Sequence, residues 1–264
     1  MHAGIDAYRI ARQPYYEAVG EECAMFDAAY LRRLPVLVKG PTGCGKTRFI
    51  EYMAWRLQRP LITVACNDDT SAADLTGRWL LDAEGTRWQD GPLTLAARAG
   101  AICYLDELVE ARPDTTVVMH PLTDTRRMLP LDKRNEIVSA HADFLLVASF
   151  NPGGHRTLKS STRQRFCVLD FQYPPTETEV AIVVHESGVA LPMATSLVSL
   201  GVRTRRLQHH GLDDGASTRM LIHAGLLISQ GVQPGAACRV AVVAPLSDDP
   251  DVLAALLATV DAVF

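Results

Sequence analysis

The stretch GPTGCGKT at residues 40–47 constrains this chain more than any other. It stands between an apolar run, LPVLV, and a segment of helical character, TRFIEYMAWRLQ. Gly40, Gly45, Lys46 and Thr47 fit the spacing GxxxxGK[ST]. In that pattern glycines let backbone N–H groups curl around phosphate oxygens at the start of a helix, where the helix dipole also favours an anion. Gly40, Pro41, Thr42, Gly43, Cys44, Gly45, Lys46 and Thr47 are therefore expected to enclose the phosphates of a nucleoside triphosphate. Lys46 would reach the β- and γ-phosphates, and Thr47 would offer its hydroxyl to Mg²⁺. A fortuitous glycine-rich turn is the competing reading, and the strand before the motif and the helix after it weigh against that.

The remaining chain extends the same architecture. PVLVKG (35–40), LITVAC (61–66), AICYLD (101–106), FLLVASFN (144–151) and CVLDFQ (167–172) are short, apolar and not alternating. A parallel sheet covered on both faces requires strands of that kind. Segments of helical periodicity, such as 48–58 and 115–122, lie between them, which implies an α/β sheet with right-handed crossovers. After the YPP of residues 173–175 the pattern turns wholly helical, in four runs that end with DPDVLAALLATVDAVF. The prolines make a natural hinge. The expected division is an α/β nucleotide-binding subdomain over 1–173 and a small all-helical lid over 174–264.

Two acids close the run AICYLDE. At the end of a buried strand Asp106 would hold Mg²⁺ through water, and Glu107 would polarise the water that attacks the γ-phosphate. Read without the upstream motif, the pair could as well open a following helix, whose N-terminus suits acids. Asn151 ends the run FLLVASFN and could orient the lytic water or sense the γ-phosphate. An Asn-Pro turn is its plainer use.

Bulk properties mainly exclude. A formal charge of −4 over 264 residues lacks the basic footprint of a nucleic-acid binder. No apolar run reaches membrane-spanning length, and the N-terminal segment lacks the apolar core of a secretory signal. Six cysteines are scattered without metal-ligand spacing, so they are expected as reduced, mostly buried thiols in a cytoplasmic protein.

Taken together, the phosphate motif, the Asp-Glu strand, the strand ending in Asn, the arginine-rich turn STRQRF and the GASTR of the helical part resemble the AAA+ ATPases. Residues 74–107 and 123–154 resemble the MoxR branch, in which each stretch carries an inserted β-hairpin directed at the pore of a ring. RLPVLVKGPTGCGKTRFIEYMAWRLQRPLITVACNDD, DGASTR and SDDPDVL…VDAVF are similar to the CbbQ/NirQ/NorQ group, and most of all to its CbbQ members. The resemblance spans essentially the whole chain. It implies a five-stranded parallel core, ATP and Mg²⁺ as ligands, and a homo-hexamer. It also implies that Arg165 is an arginine finger reaching the neighbouring subunit's site, with Arg163 as second candidate, and that Arg219 is the lid arginine sensing the γ-phosphate. CbbQ members are motors of a Rubisco activase that work with CbbO, a partner carrying a von Willebrand factor A domain. NorQ members serve nitric oxide reductase maturation. In the first hairpin Leu80, Leu81 and the tip 82–85 could touch a client; in the second, Pro130 and Leu131 stand between charged residues, consistent with an exposed loop, and for both ordinary hairpin packing remains the alternative.

Overall fold

The computed structural model describes residues 4–83, 85–154, 156–207, 212 and 214–264. Two compact units emerge: one runs through Gly40 and resumes over Lys46–Phe171, and the other joins Pro41–Gly45 to Gln172–Phe264.

The first unit is built on strands β1 (Val36–Lys39), β2 (Leu61–Ala65), β3 (Gly77–Asp82), β4 (Gly85–Asp90), β5 (Ile102–Asp106), β6 (Met128–Leu131), β7 (Glu136–Ser139), β8 (Leu145–Phe150) and β9 (Cys167–Asp170). Five of them form one parallel sheet in the order β2-β5-β8-β1-β9, and each lies within one of the five apolar runs. The three inner strands are buried over nearly their whole length, whereas the edge strands β2 and β9 are partly exposed. Burial on both faces explains why β5 and β8 are mostly apolar, with Asp106 and Ser149 confined to their C-terminal ends. The helices of this unit are α1 (Glu22–Leu31), α2 (Lys46–Arg56), α3 (Ala72–Thr76), α4 (Pro92–Ala99), α5 (Pro113–Met119) and α6 (Ser160–Arg163). The helix expected to reach residue 122 stops at Met119 and gives way to a 3-10 turn, because Pro121 lacks the N–H that another helical turn would use.

The hairpin β3–β4 interrupts the path from α3 to α4, with Trp79 opposite Trp88; β6–β7 precedes β8 directly. Glu84, at the first tip, lies outside the described residues. Trp79 Nε1 donates to the Lys133 carbonyl at 3.2 Å, and Arg134 lies over the Trp88 ring. Arg98 of α4 bridges both hairpins, with Nε 3.0 Å from Asp90 Oδ2 and Nη2 donating to Glu136 Oε1 at 2.5 Å. The expectation of an exposed Leu131 fails. It is buried, because β6 alternates and turns Leu129 and Leu131 into the core while Pro130 is half-buried. The large apolar side chains that the described hairpin residues expose are Leu81, at 83%, Ile137, at 64%, and Trp79, at 49%, with Leu80 half-buried.

The helical unit contains α7 (Thr176–Ser187), α8 (Leu191–Arg206), α9 (Thr218–Ser229), α10 (Pro234–Cys238) and α11 (Pro250–Asp261) around a core of Val183, Leu197, Leu221, Val242 and Leu256. Four helices were expected. The extra one, α10, continues into a π-helical turn over Arg239–Val243, and the β-branched run RVAVV gives no helical signal of its own. Among the described residues, no helix is long and apolar enough to cross a membrane. All six cysteines are free; Cys44, Cys66, Cys103 and Cys238 are buried, Cys23 is half-buried and Cys167 is exposed.

Candidate active site

In the α/β unit the site forms where β1, β5 and β8 end. β1 ends at Lys39, just before Gly40, whose position admits no side chain: a Cβ there would stand 2.6 Å from the Phe171 carbonyl oxygen. Lys46 opens α2 and is buried; its Nζ donates to the Gly40 carbonyl at 2.8 Å and lies 3.8 Å from Glu107 Oε1. Thr47 follows, and its hydroxyl donates to Asp106 Oδ2 at 3.3 Å.

Asp106 ends β5 in a cradle of hydroxyls. Tyr104 and Ser149 each donate to Oδ1 at 2.6 Å. Tyr104 shares the face of Asp106 because side chains two apart on a strand point the same way. Ser149 comes from β8, whose pairing with β5 runs Tyr104–Val147 and Leu105–Ala148 and so brings position 149 alongside 106. Burial, followed by the Asp106 charge, pushes the Tyr104 phenol well above its ordinary range, so it stays a protonated donor. No ion pair among the described residues joins Asp106 to a cation. Sequence reasoning passed over both hydroxyls. Tyr104 could have been found from strand periodicity alone; Ser149 required the register.

Glu107 has a left-handed backbone, at φ 54 and ψ 51, a conformation uncommon outside glycine and asparagine and frequent at functional sites. Its N–H donates to Ser149 Oγ at 3.0 Å, so one serine fixes both acids. Burial lifts the Glu107 carboxyl above its ordinary range; Lys46 opposes the shift and Asp106 reinforces it. The chain then enters only a three-residue 3-10 turn, so these acids cap no α-helix. Asn151 follows β8. Its backbone N–H points to the Glu107 carboxylate, while its side-chain oxygen accepts from Gly153 N at 2.9 Å in a local turn. Nearby, burial and the two acids push the Cys66 thiol up to about 12.

The other predicted residues lie elsewhere. Arg163 ends α6 and Arg165 follows it. Both are exposed, and Arg165 has His120 and Asp124 as electrostatic neighbours. No described hydrogen bond or ion pair brings either arginine to Asp106 or Glu107. In the helical unit, Pro41–Gly45 meets the start of α9. Gly43 adopts φ +69, and a Cβ there would come within 2.7 Å of Ser217, with the Arg219 Cβ at 3.3 Å. Ser217 caps α9 by accepting from Met220 N, which places the exposed Arg219 in the first turn.

The donor set fits Mg²⁺. A hydroxyl and a carboxylate oxygen 3.3 Å apart are hard ligands, few enough to leave most positions to water and phosphate. Among the described residues no cluster of His, Cys, Asp and Glu offers the ligands a softer metal would take.

Comparison with known proteins agrees with this chemistry. Residues 35–166 match the AAA domain (dynein-related subfamily), and residues 179–263 match the CbbQ/NirQ/NorQ C-terminal family. Protein CbbQ of Hydrogenophilus thermoluteolus is 60% identical over 97% of both chains. The denitrification regulatory protein NirQ of Pseudomonas aeruginosa is 57% identical over 94% of this chain and 96% of its own. Protein NorQ of Paracoccus denitrificans is 52% identical over 95% of this chain and 94% of its own. Among solved structures, a RuvB mutant from Thermotoga maritima superposes with a TM-score of 0.56 at 15% identity, covering 92% of this chain and 71% of that one, a likeness of fold alone. A phosphate-loop sheet, an Asp-Glu pair at the end of its β5 strand and similarity across nearly the full length of these relatives make this chain a member of the CbbQ/NirQ/NorQ family of AAA+ ATPases.

Proposed function

We propose that this ATPase is the motor of a protein-remodelling machine, assembled as a homo-hexameric ring in the cytoplasm, with Rubisco as its client. The client would be reached through a CbbO-like adaptor carrying a von Willebrand factor A domain, and the work done would release inhibitory sugar phosphates. The observation that carries the ATPase part is Glu107, clamped in a left-handed backbone beside Lys46, with its carboxyl raised towards the working range of a general base.

In this reading residues 40–47 bind the phosphates of ATP, Lys46 supplying a fixed positive charge and the loop its N–H groups. Thr47 and Asp106 would hold Mg²⁺, which neutralises charge on the phosphate oxygens when bound. Glu107 accepts a proton from the attacking water at its carboxylate, and Asn151 helps to orient that water. Arg219 senses the γ-phosphate in the subunit that binds it. Arg165, with Arg163 as second candidate, acts from the neighbouring subunit, so hydrolysis depends on assembly. Mixed rings of Arg165→Ala and Glu107→Gln chains should then regain activity that neither variant has alone. The exposed Leu81 is the hairpin residue best placed to meet a client.

Similarity to Protein CbbQ supports the Rubisco client; the nearly equal similarity to NirQ and NorQ supports a second one, a nitric oxide reductase undergoing maturation. The deciding measurement is carboxylation by sugar-phosphate-blocked Rubisco, with each component omitted in turn. ATP-dependent recovery only with the adaptor present supports the first reading. Full recovery without the adaptor would remove the adaptor from the scheme, and no recovery with all components present would transfer the proposal to the reductase.

A further inference from the structure

The helical unit contains a polar assembly that neither the phosphate motif nor Arg219 accounts for. Glu179 on α7 is fully buried and receives both terminal nitrogens of Arg205, on α8, at 2.8 and 2.6 Å. Thr218 Oγ1 also donates to Glu179, at 2.5 Å, and Arg205 Nε donates to the Ala216 carbonyl at 2.8 Å. So fixed, the Arg205 guanidinium lies over the Tyr173 ring, 3.8 Å from its centre. The Tyr173 hydroxyl in turn donates to the Thr42 carbonyl at 3.1 Å. The series of contacts ends on one peptide group of the phosphate loop.

That peptide group is trans and planar, so its C=O and N–H point in opposite directions. A hydroxyl that holds the Thr42 oxygen on the Tyr173 side turns the Gly43 N–H the other way. Gly43 sits at φ +69, where a glycine is free to move, and nothing in its own chemistry prevents the preceding peptide from flipping. We propose that Tyr173 is a positioning residue for nucleotide phosphates: by holding the Thr42 carbonyl it aims the Gly43 N–H into the phosphate cradle, on a rigid mount made by Arg205 and Glu179. The proposal rests on residues 40–47 being the phosphate site. The same ion pair grips Ala216 and Thr218, on either side of the cap of the helix that carries Arg219, so loop and arginine share one mount. Burial pushes the Tyr173 phenol up to about 12, so the hydroxyl keeps its proton at ordinary working pH.

Tyr173→Phe retains the ring beneath the guanidinium and removes only the hydroxyl. Binding is read by equilibrium titration with fluorescent ATP and ADP analogues, alongside steady-state KM and kcat and thermal unfolding without nucleotide. One lost hydrogen bond should weaken both nucleotides about three- to tenfold. KM for ATP should rise in parallel, with kcat within about twofold of wild type and the nucleotide-free unfolding midpoint unchanged. Arg205→Lys, which keeps the charge but loses the fork and the flat stacking surface, should weaken nucleotide binding too. Dissociation constants for Tyr173→Phe within about twofold of wild type overturn the proposal, as does a fall in kcat at constant KM. Lys46→Ala separates this inference from the reading beneath it. If that variant binds nucleotide normally, the phosphate loop is misassigned; if it loses binding while Tyr173→Phe does not, only the role of Tyr173 is refuted.

Discussion

Asp106 at the end of β5, half-buried, and Glu179 on α7 are both carboxylates enclosed by hydrogen-bond donors, and the chain holds them in opposite ways. Glu179 is fully buried and cancelled by a bidentate arginine, with a threonine hydroxyl completing its shell. Among the described residues, Asp106 receives neutral hydroxyls from Tyr104, Ser149 and Thr47, which fix its orientation, and no ion pair cancels its charge. A carboxylate needs a cation when its task is to hold helices together. It needs neutral donors when its task is to receive a cation from outside. The partners of an enclosed acid thus help to distinguish structure from chemistry.

The largest effect that would test this contrast lies beside Asp106. Glu107→Gln should retain ATP binding while hydrolysis falls at least about a hundredfold, because only the proton acceptor is lost. Normal turnover in a phosphate-release assay would show that Glu107 is not the base. Next come the two acids themselves. Asp106→Asn should abolish most hydrolysis without lowering the unfolding midpoint. Arg205→Met strands the Glu179 charge and should cost about 3–5 kcal/mol, a fall on the order of 10 °C in Tm by calorimetry. Equal midpoints for these two variants would erase the distinction. A smaller effect is expected of Tyr104→Phe, which removes one of the donors to Asp106. The Mg²⁺ concentration for half-maximal activity should shift several-fold while ATP affinity at saturating Mg²⁺ holds.

The smallest effect concerns pH. The folded-state pKa of Glu107 is raised, so its contribution to stability is present at low pH and lost as pH rises through that value. Glu107→Gln should therefore raise Tm slightly at neutral pH, and the gain should shrink on acidification as wild-type Glu107 takes up its proton. A gain that grows on acidification would reverse the assigned direction.

Much of this was legible in the residues. Five short, mostly apolar runs gave the five strands of the parallel sheet, because burial on both faces leaves little room for polar positions. The phosphate motif and the Asp106–Glu107 pair are local in sequence, so spacing alone exposed them. Ser149 was not legible, because its meaning comes from the β5–β8 register. Nor was the Glu179–Arg205 pair, whose members stand 26 residues apart on different helices. Leu131 was misread because a leucine between charges looks the same whether its strand turns it outward or inward. The π-helical turn over Arg239–Val243 escaped because valines advertise strands.

The tie between the two hairpins has a mechanical consequence. Trp79 is fastened to the Lys133 carbonyl and Arg98 spans Asp90 and Glu136, so side-chain contacts join the hairpins into one lever. Its two arms enter the sheet separately. The first hairpin leads through α4 into β5 and so to Asp106 and Glu107, whereas the second leads straight into β8 and so to Ser149 and Asn151. A load applied at Leu81 is therefore divided between neighbouring strands whose far ends are pinned to each other through Ser149. Such a parallel linkage resists tilting one strand against the other and transmits sliding along both.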